Sequence, residues 1–329
     1  MSSVPIPKGP YSLTIDQMNI ALMLMACVAA YFLPFEILLF SYAFLEPAHY
    51  LTQLSWMHDR KYFTDHKWLW VPATAIVILL MLLGYEAPLP QNLKEASNYI
   101  IYSLAFAGAA SLILIHSVPR QIIMACVLVT VLLVFKGIMP AFALPLILLI
   151  PTVLHIYVFT GAFILHGAMK NDSLWGFLSF AVFAGCGLFF LCVRPDPVVL
   201  LPSYSMNNVT FFDGPAAYLQ NLLSFSGPLD SIAIFSFLGF AYTYHYLNWF
   251  SKVQVIQWNK IPRTRFAALC LVYCISIALY LYDFRTGFIA LFFLSMLHVV
   301  LEFPLNALTF HSIGKTAWTK MTGKAGRNA

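Results

Sequence analysis

The sequence predicts an all-α polytopic membrane bundle of about nine spans, and three observations predict it. Of 329 residues, 61% are hydrophobic and only 9% are charged, with a mean hydropathy of +0.81. A water-soluble domain is about a quarter charged. This composition cannot clothe a water-facing surface, which excludes a soluble enzyme, a disordered region and a nucleic-acid binder. Next, the apolar residues fall in runs close to the length of about 20 that a helix needs to cross the hydrocarbon core. Finally, lysines and arginines gather in the short segments between those runs, as membrane topology requires.

In order, the spans are expected at 18–45, 68–85, 99–116, 121–135, 141–166, 174–193, 229–250, 266–282 and 288–310. Pro34, Pro145, Pro151 and Pro304 are expected to kink spans or end them early, because proline removes a backbone donor and clashes with the preceding turn. With nine spans, an N-terminus outside and a C-terminus inside put 13 of the 18 basic residues on the inner side. The polar start MSSVPIPKGPYSLTID has no signal-peptide pattern, so the first apolar run is read as a retained span. The chain 1–329 is read as a single membrane domain. Its outer loop, 194–228, is expected to form a compact lid with a short helix at 215–224, and a basic tail at 311–329 is expected inside. The triplet Asn208-Val-Thr210 matches a glycosylation acceptor. The cysteines Cys27, Cys126, Cys186, Cys192, Cys270 and Cys274 form no CxxC pair and read as small apolar residues.

Ionisable residues inside apolar runs are costly and mark function. Glu46-Pro-Ala-His49 has the Glu-x-x-His spacing that offers an oxygen and a nitrogen to one metal from one helix face. His155 lies near the middle of the fifth span, with His166 three turns on. His245 sits among Tyr242, Tyr244 and Tyr246, with Asn248 one turn away. His298 and Glu302 are spaced i, i+4 on one face of the ninth span. The spans carrying these residues run in the same direction, so His49, His155, His245 and His298 are expected in the inner half of the bilayer, at a depth where they can meet. Together with Glu46 they are the expected metal ligands, and Glu302 and Tyr244 the expected catalytic residues. Imidazole and carboxylate without thiolate suit iron, with zinc and manganese as alternatives.

The phrases HYLTQLSWMHDRKYF (49–63) and YHYLNWFSK (244–252), with single histidines on separate spans, resemble the membrane carotene dioxygenase family of the bacterial Brp/Blh type. The first histidine motif of that family, Gly-Leu-Pro-His-Gly-like, is missing here, and Glu46–His49 stands in its place. The resemblance implies non-heme iron held by transmembrane histidines, dioxygen as co-substrate, and a multi-pass protein of a bacterial inner membrane. The expected function is thus oxygenation of a lipophilic small molecule that enters from membrane lipid. A transporter, or a heme- or quinone-binding electron carrier using the same histidines, is the alternative.

Overall fold

The computed structural model describes residues 11–64, 68–82, 90–115, 117–140, 150–223 and 231–322. Among them the chain is almost entirely helical, without strands. Among the described residues, six helices are long and apolar enough to cross a membrane. The expected kink at Pro145, the first half of the fifth span (141–149) and the end of the tail (323–329) lie outside the described residues.

The first expected span is two helices. α1 (Tyr11–Phe32) stops before Pro34, and α2 (Pro34–Phe40) starts on it. Leu33 between them has φ −131° and ψ 53°, outside the helical region. A residue before proline is pushed from the α region by the pyrrolidine ring. The chain reverses here. Past the turn, a five-residue π-helical segment (Ser41–Leu45) leads into α3 (Glu46–Asp59). The single span expected over 18–45, kinked or cut short at Pro34, is therefore corrected to an antiparallel hairpin.

Short α4 (Trp70–Met81) is followed by α5 (Gln91–Leu114) and α6 (Val118–Ile138), which run antiparallel with the Tyr99 hydroxyl donating to the Leu132 carbonyl at 2.6 Å. A ten-residue π-helix (Ile150–Phe159) runs into α7 (Thr160–Asn171), and α8 (Leu174–Cys192) returns beside it. The loop after α8 holds α9 (Pro202–Val209) and α10 (Asp213–Leu223), the latter matching the helix expected at 215–224. Glu36 pins this loop: its carboxylate accepts from the Leu200 and Leu201 amides at 3.0 and 3.3 Å and from the Ser205 hydroxyl at 2.9 Å.

α11 (Ser231–Ser251) is the central post, with sixteen buried residues. α1 runs antiparallel to it: Asn19 meets Tyr244 and Ser251, whereas Ala30 lies beside Gly239. α2–α3 runs parallel to it, through Phe35–Phe235, Tyr42–Tyr242, His49–His245 and Thr52–Trp249. Gly239 lets the hairpin approach, since a β-carbon there would stand 2.9 Å from Ile37 Cγ2 and 3.1 Å from the Pro34 carbonyl oxygen. Small residues serve this purpose where helix backbones pack closely.

α12 (Arg263–Tyr282) and α13 (Phe284–Thr322) close the bundle. Asp283 caps α13, accepting from the Thr286 amide and hydroxyl at 2.8 Å each, and these bonds hold its carboxyl below the usual range. At 39 residues α13 is about 58 Å long, nearly twice a hydrocarbon core. The expected tail over 311–322 is thus a continuation of the helix, tied back by Lys320 to Asp172 at 2.9 Å. Pro304 sits inside α13 without ending it.

Candidate metal centre

Four separate helical segments bring four imidazoles to one place. His49 comes from α3, His155 from the π-helix, His245 from α11 and His298 from α13; all are between 1% and 6% exposed. His49 Nε2 lies 3.2 Å from His245 Nε2, and His155 Nε2 lies 3.3 Å from His298 Nε2. The pairs touch: the ring centroid of His155 is 5.0 Å from that of His245, and that of His49 is 5.5 Å from that of His298. Glu302 Oε2 stands 3.7 Å from His155 Nε2.

Two overlapping sets of donor atoms, His49–His155–His245 and His155–His298–Glu302, each lie within 4.8 Å of one another. His155 belongs to both. Two nitrogens bound to one ion at about 2.1 Å sit about 3.0–3.4 Å apart for angles between square and tetrahedral. The observed 3.2 and 3.3 Å fall in that interval.

Two π-helical segments shape the site. Wider turns of this kind often mark functional positions, because they shift side-chain register within a helix. The first ends immediately before Glu46, and the second contains His155. The second also places Thr160, five residues after His155, against the same cluster: its hydroxyl is 2.7 Å from His245 Nδ1. That contact fixes the ring so that Nε2 faces the centre. Gln53, one turn after His49, donates from Nε2 to Glu302 Oε2 at 2.6 Å.

Neither Thr160 nor Gln53 was singled out by the sequence. Both are neutral, so a search for ionisable residues passes over them. The signal available for Gln53 was its i+4 spacing from His49, which puts both on one helix face.

Glu46 and Tyr244 sit apart from the donor sets. Glu46 accepts from Ser295 at 2.5 Å and lies on the far side of the histidines, in an aromatic cavity. Tyr244 turns to the opposite face of α11 from Tyr242 and Tyr246, and its hydroxyl is 3.2 Å from Asn19 Oδ1 and 3.4 Å from Asn248 Oδ1. It still borders the cavity described next.

That cavity, of about 290 Å³, has His49, His245 and Glu302 in its lining. It also takes in Lys170, Lys252 and Asp16, residues at the ends of α7, α11 and α1 where those helices meet. His166, the other histidine of the fifth span, belongs to this lining and not to the cluster. A second cavity of about 130 Å³ reaches His155 and His298 from the side of α10.

Compared with known protein families, curated proteins and solved structures, the chain matches none.

Proposed function

We propose that the protein is a membrane-embedded, metal-dependent oxygenase acting on a lipophilic substrate, with non-heme iron as the metal. The observation that carries the reading is the convergence of four buried imidazole Nε2 atoms and Glu302. A nitrogen-rich set with one carboxylate and no thiolate suits iron, with zinc and manganese next. Iron at such a site supplies dioxygen activation, which protein side chains do not.

The residues have distinct tasks in this reading. His49, His155, His245, His298 and Glu302 hold the metal. Thr160 orients His245, and Gln53 orients Glu302, as hydrogen-bonded neighbours commonly do for ligands. The larger cavity, with lysines and an aspartate in its lining, gives dioxygen and protons a route. Heme fits less well. Two imidazoles on either side of a heme iron need about 4 Å between nitrogens at metal–nitrogen distances of about 2 Å, and four rings in mutual contact leave no slot for a macrocycle.

The hairpin at Leu33 supports a topology with one more crossing than the nine expected. With α1 and α2–α3 as separate crossings, both termini fall on the same, basic side. Lys8 then changes sides, so that 14 of the 18 basic residues share a face. A reporter fused ahead of α1 and one fused after α13 should give signals from the same side.

Metal analysis of the purified protein tests the centre. Wild type should hold iron at about one or two ions per chain, and His155→Ala, which removes the ligand common to both donor sets, should lose most of it. Protein purified gently with no bound transition metal and no affinity for added Fe²⁺ would overturn the reading. Turnover of an identified substrate should stop without dioxygen.

A further inference from the structure

The smaller cavity holds a buried carboxyl that the metal centre does not use. Glu46 is 3% exposed and lines this cavity together with His155 and His298. One of its oxygens accepts from Ser295; the other, Oε2, has no hydrogen-bond partner among the described residues. Leaving a buried polar atom unpaired costs about 1–3 kcal/mol, so such an atom facing a cavity calls for an explanation.

The walls are aromatic. Tyr42 stacks on Phe288 at 5.4 Å and meets Phe212 edge-on at 5.0 Å, and Tyr242 and Tyr246 continue the lining. Phe212 comes from the loop that Glu36 pins, and Phe288 from α13. A cavity of about 130 Å³ is close to the size at which an apolar protein cavity takes up one benzene ring, about 150 Å³. Flat rings suit such walls because aromatic pairs prefer stacked and edge-to-face contacts.

We propose that this cavity is a binding site for a single six-membered ring bearing a hydroxyl group, a phenol or quinol, whose O–H donates to Glu46 Oε2. The ring would lie between the Tyr42–Phe288 stack and the edges of His155 and His298. The proposal names the substrate class for the metal centre, and that role rests on the reading above. Ring binding itself rests only on the cavity and Glu46.

The test uses purified full-length protein in detergent and fluorine NMR with three probes: 4-fluorophenol, 4-fluorotoluene and a fluorinated 2-naphthol. Wild type should bind 4-fluorophenol about three- to tenfold more tightly than 4-fluorotoluene, the range expected for one net hydrogen bond. Glu46→Leu should erase that preference while keeping 4-fluorotoluene, which also cancels micelle partitioning. Should Glu46→Leu fail to fold, Glu46→Gln and probe size decide: the glutamine variant should keep phenol, and the two-ring naphthol should be excluded from wild type. Equal binding of phenol and toluene in wild type, an undiminished preference in Glu46→Leu, or naphthol binding as tight as phenol would each overturn the site. Metal content is measured on the same samples. It should be unchanged in Glu46→Leu; loss of metal there would make Glu46 a ligand and overturn the proposal. Metal-free wild type that still prefers phenol would sink the metal reading and leave the ring site standing.

Discussion

α6 and α11 are both 21-residue helices without an acidic residue, yet they lead opposite lives. α6 is apolar enough to rank among the membrane-crossing helices, and Gln121 is its one buried residue. Ile122, Ile123, Val127, Val131, Val134 and Ile138 all point outward. α11 does not reach that level of hydropathy, and it is the most enclosed helix of the bundle. In water this order would be inverted. In a bilayer the solvent is as apolar as leucine, so the most apolar helix can face outward. Histidine, tyrosine and asparagine then belong inside, where neighbouring helices satisfy them. Burial in this protein follows polarity, and the chemistry sits where burial is deepest.

Removing a shared ligand should break the interior most severely. His155 belongs to both donor sets, so His155→Ala should lower metal affinity by more than about 100-fold, beyond the 10- to 100-fold typical of losing an orienting neighbour. His49→Ala leaves the other donor set whole and should retain measurable metal. Titration of metal-stripped protein with Fe²⁺ checks both. Equal losses in the two variants would argue for a single ion held by all four imidazoles.

A pair of glycines puts the two helices on one scale. Gly239 of α11 has no room for a β-carbon, whereas Gly137 of α6 has nothing within 4 Å of one. Gly239→Leu should cost about 2–3 kcal/mol through overpacking. Gly137→Leu should be neutral or gain up to about 1 kcal/mol, since glycine in a helix interior is itself unfavourable. Thermal unfolding in detergent compares them. Similar shifts in the two variants would erase the distinction between the inward and outward helix.

The two regions also differ in how far the sequence alone exposes them. The outward helices were legible: 121–135 against Val118–Ile138, and 174–193 against Leu174–Cys192, differ by a few residues at the ends. Length and hydropathy suffice where lipid is the neighbour. The four histidines were legible too, because an imidazole in an apolar run has few other reasons to be there. The hairpin was not. Proline at a helix start and proline at a kink read alike in one dimension, and only the partner strip on α11 decides the direction of α2. Tyr244 was grouped with Tyr242 and Tyr246 by sequence, but alternate residues on a helix diverge by about 200°, so it borders the larger cavity while the other two line the smaller one. The π-helical register that brings Thr160 to His245 leaves no mark in a sequence read at 3.6 residues per turn.

Thr160 provides the next smaller effect. Thr160→Val keeps the shape and removes the hydroxyl that faces His245 Nδ1 at 2.7 Å. Metal affinity should fall about tenfold while overall stability changes by less than about 1.5 kcal/mol, as for other neighbours that orient a ligand. Thr160→Ser should restore affinity. An unchanged metal affinity in Thr160→Val would mean that His245 is oriented by packing alone.

The smallest effect should come from an ion pair at the rim whose arginine reaches both oxygens of its partner. Arg265 Nη1 contacts both oxygens of Asp59, at 2.7 and 2.8 Å, and joins the end of α3 to the start of α12. Its two contacts are far shorter than the 3.7 Å between Glu302 and His155, and distance alone would rank it the stronger ion pair. Solvent decides otherwise. The two side chains are 35% and 43% exposed, so water and salt screen their attraction, and holding two flexible side chains together costs conformational entropy. Exposed pairs of this kind contribute about 0.2–1 kcal/mol. Arg265→Ala should therefore shift the unfolding midpoint slightly, with metal content untouched, and most of the shift should vanish in high salt. A loss comparable to that of Gly239→Leu would show that the α3–α12 end is enclosed in the folded protein, and would move the boundary between interior and rim.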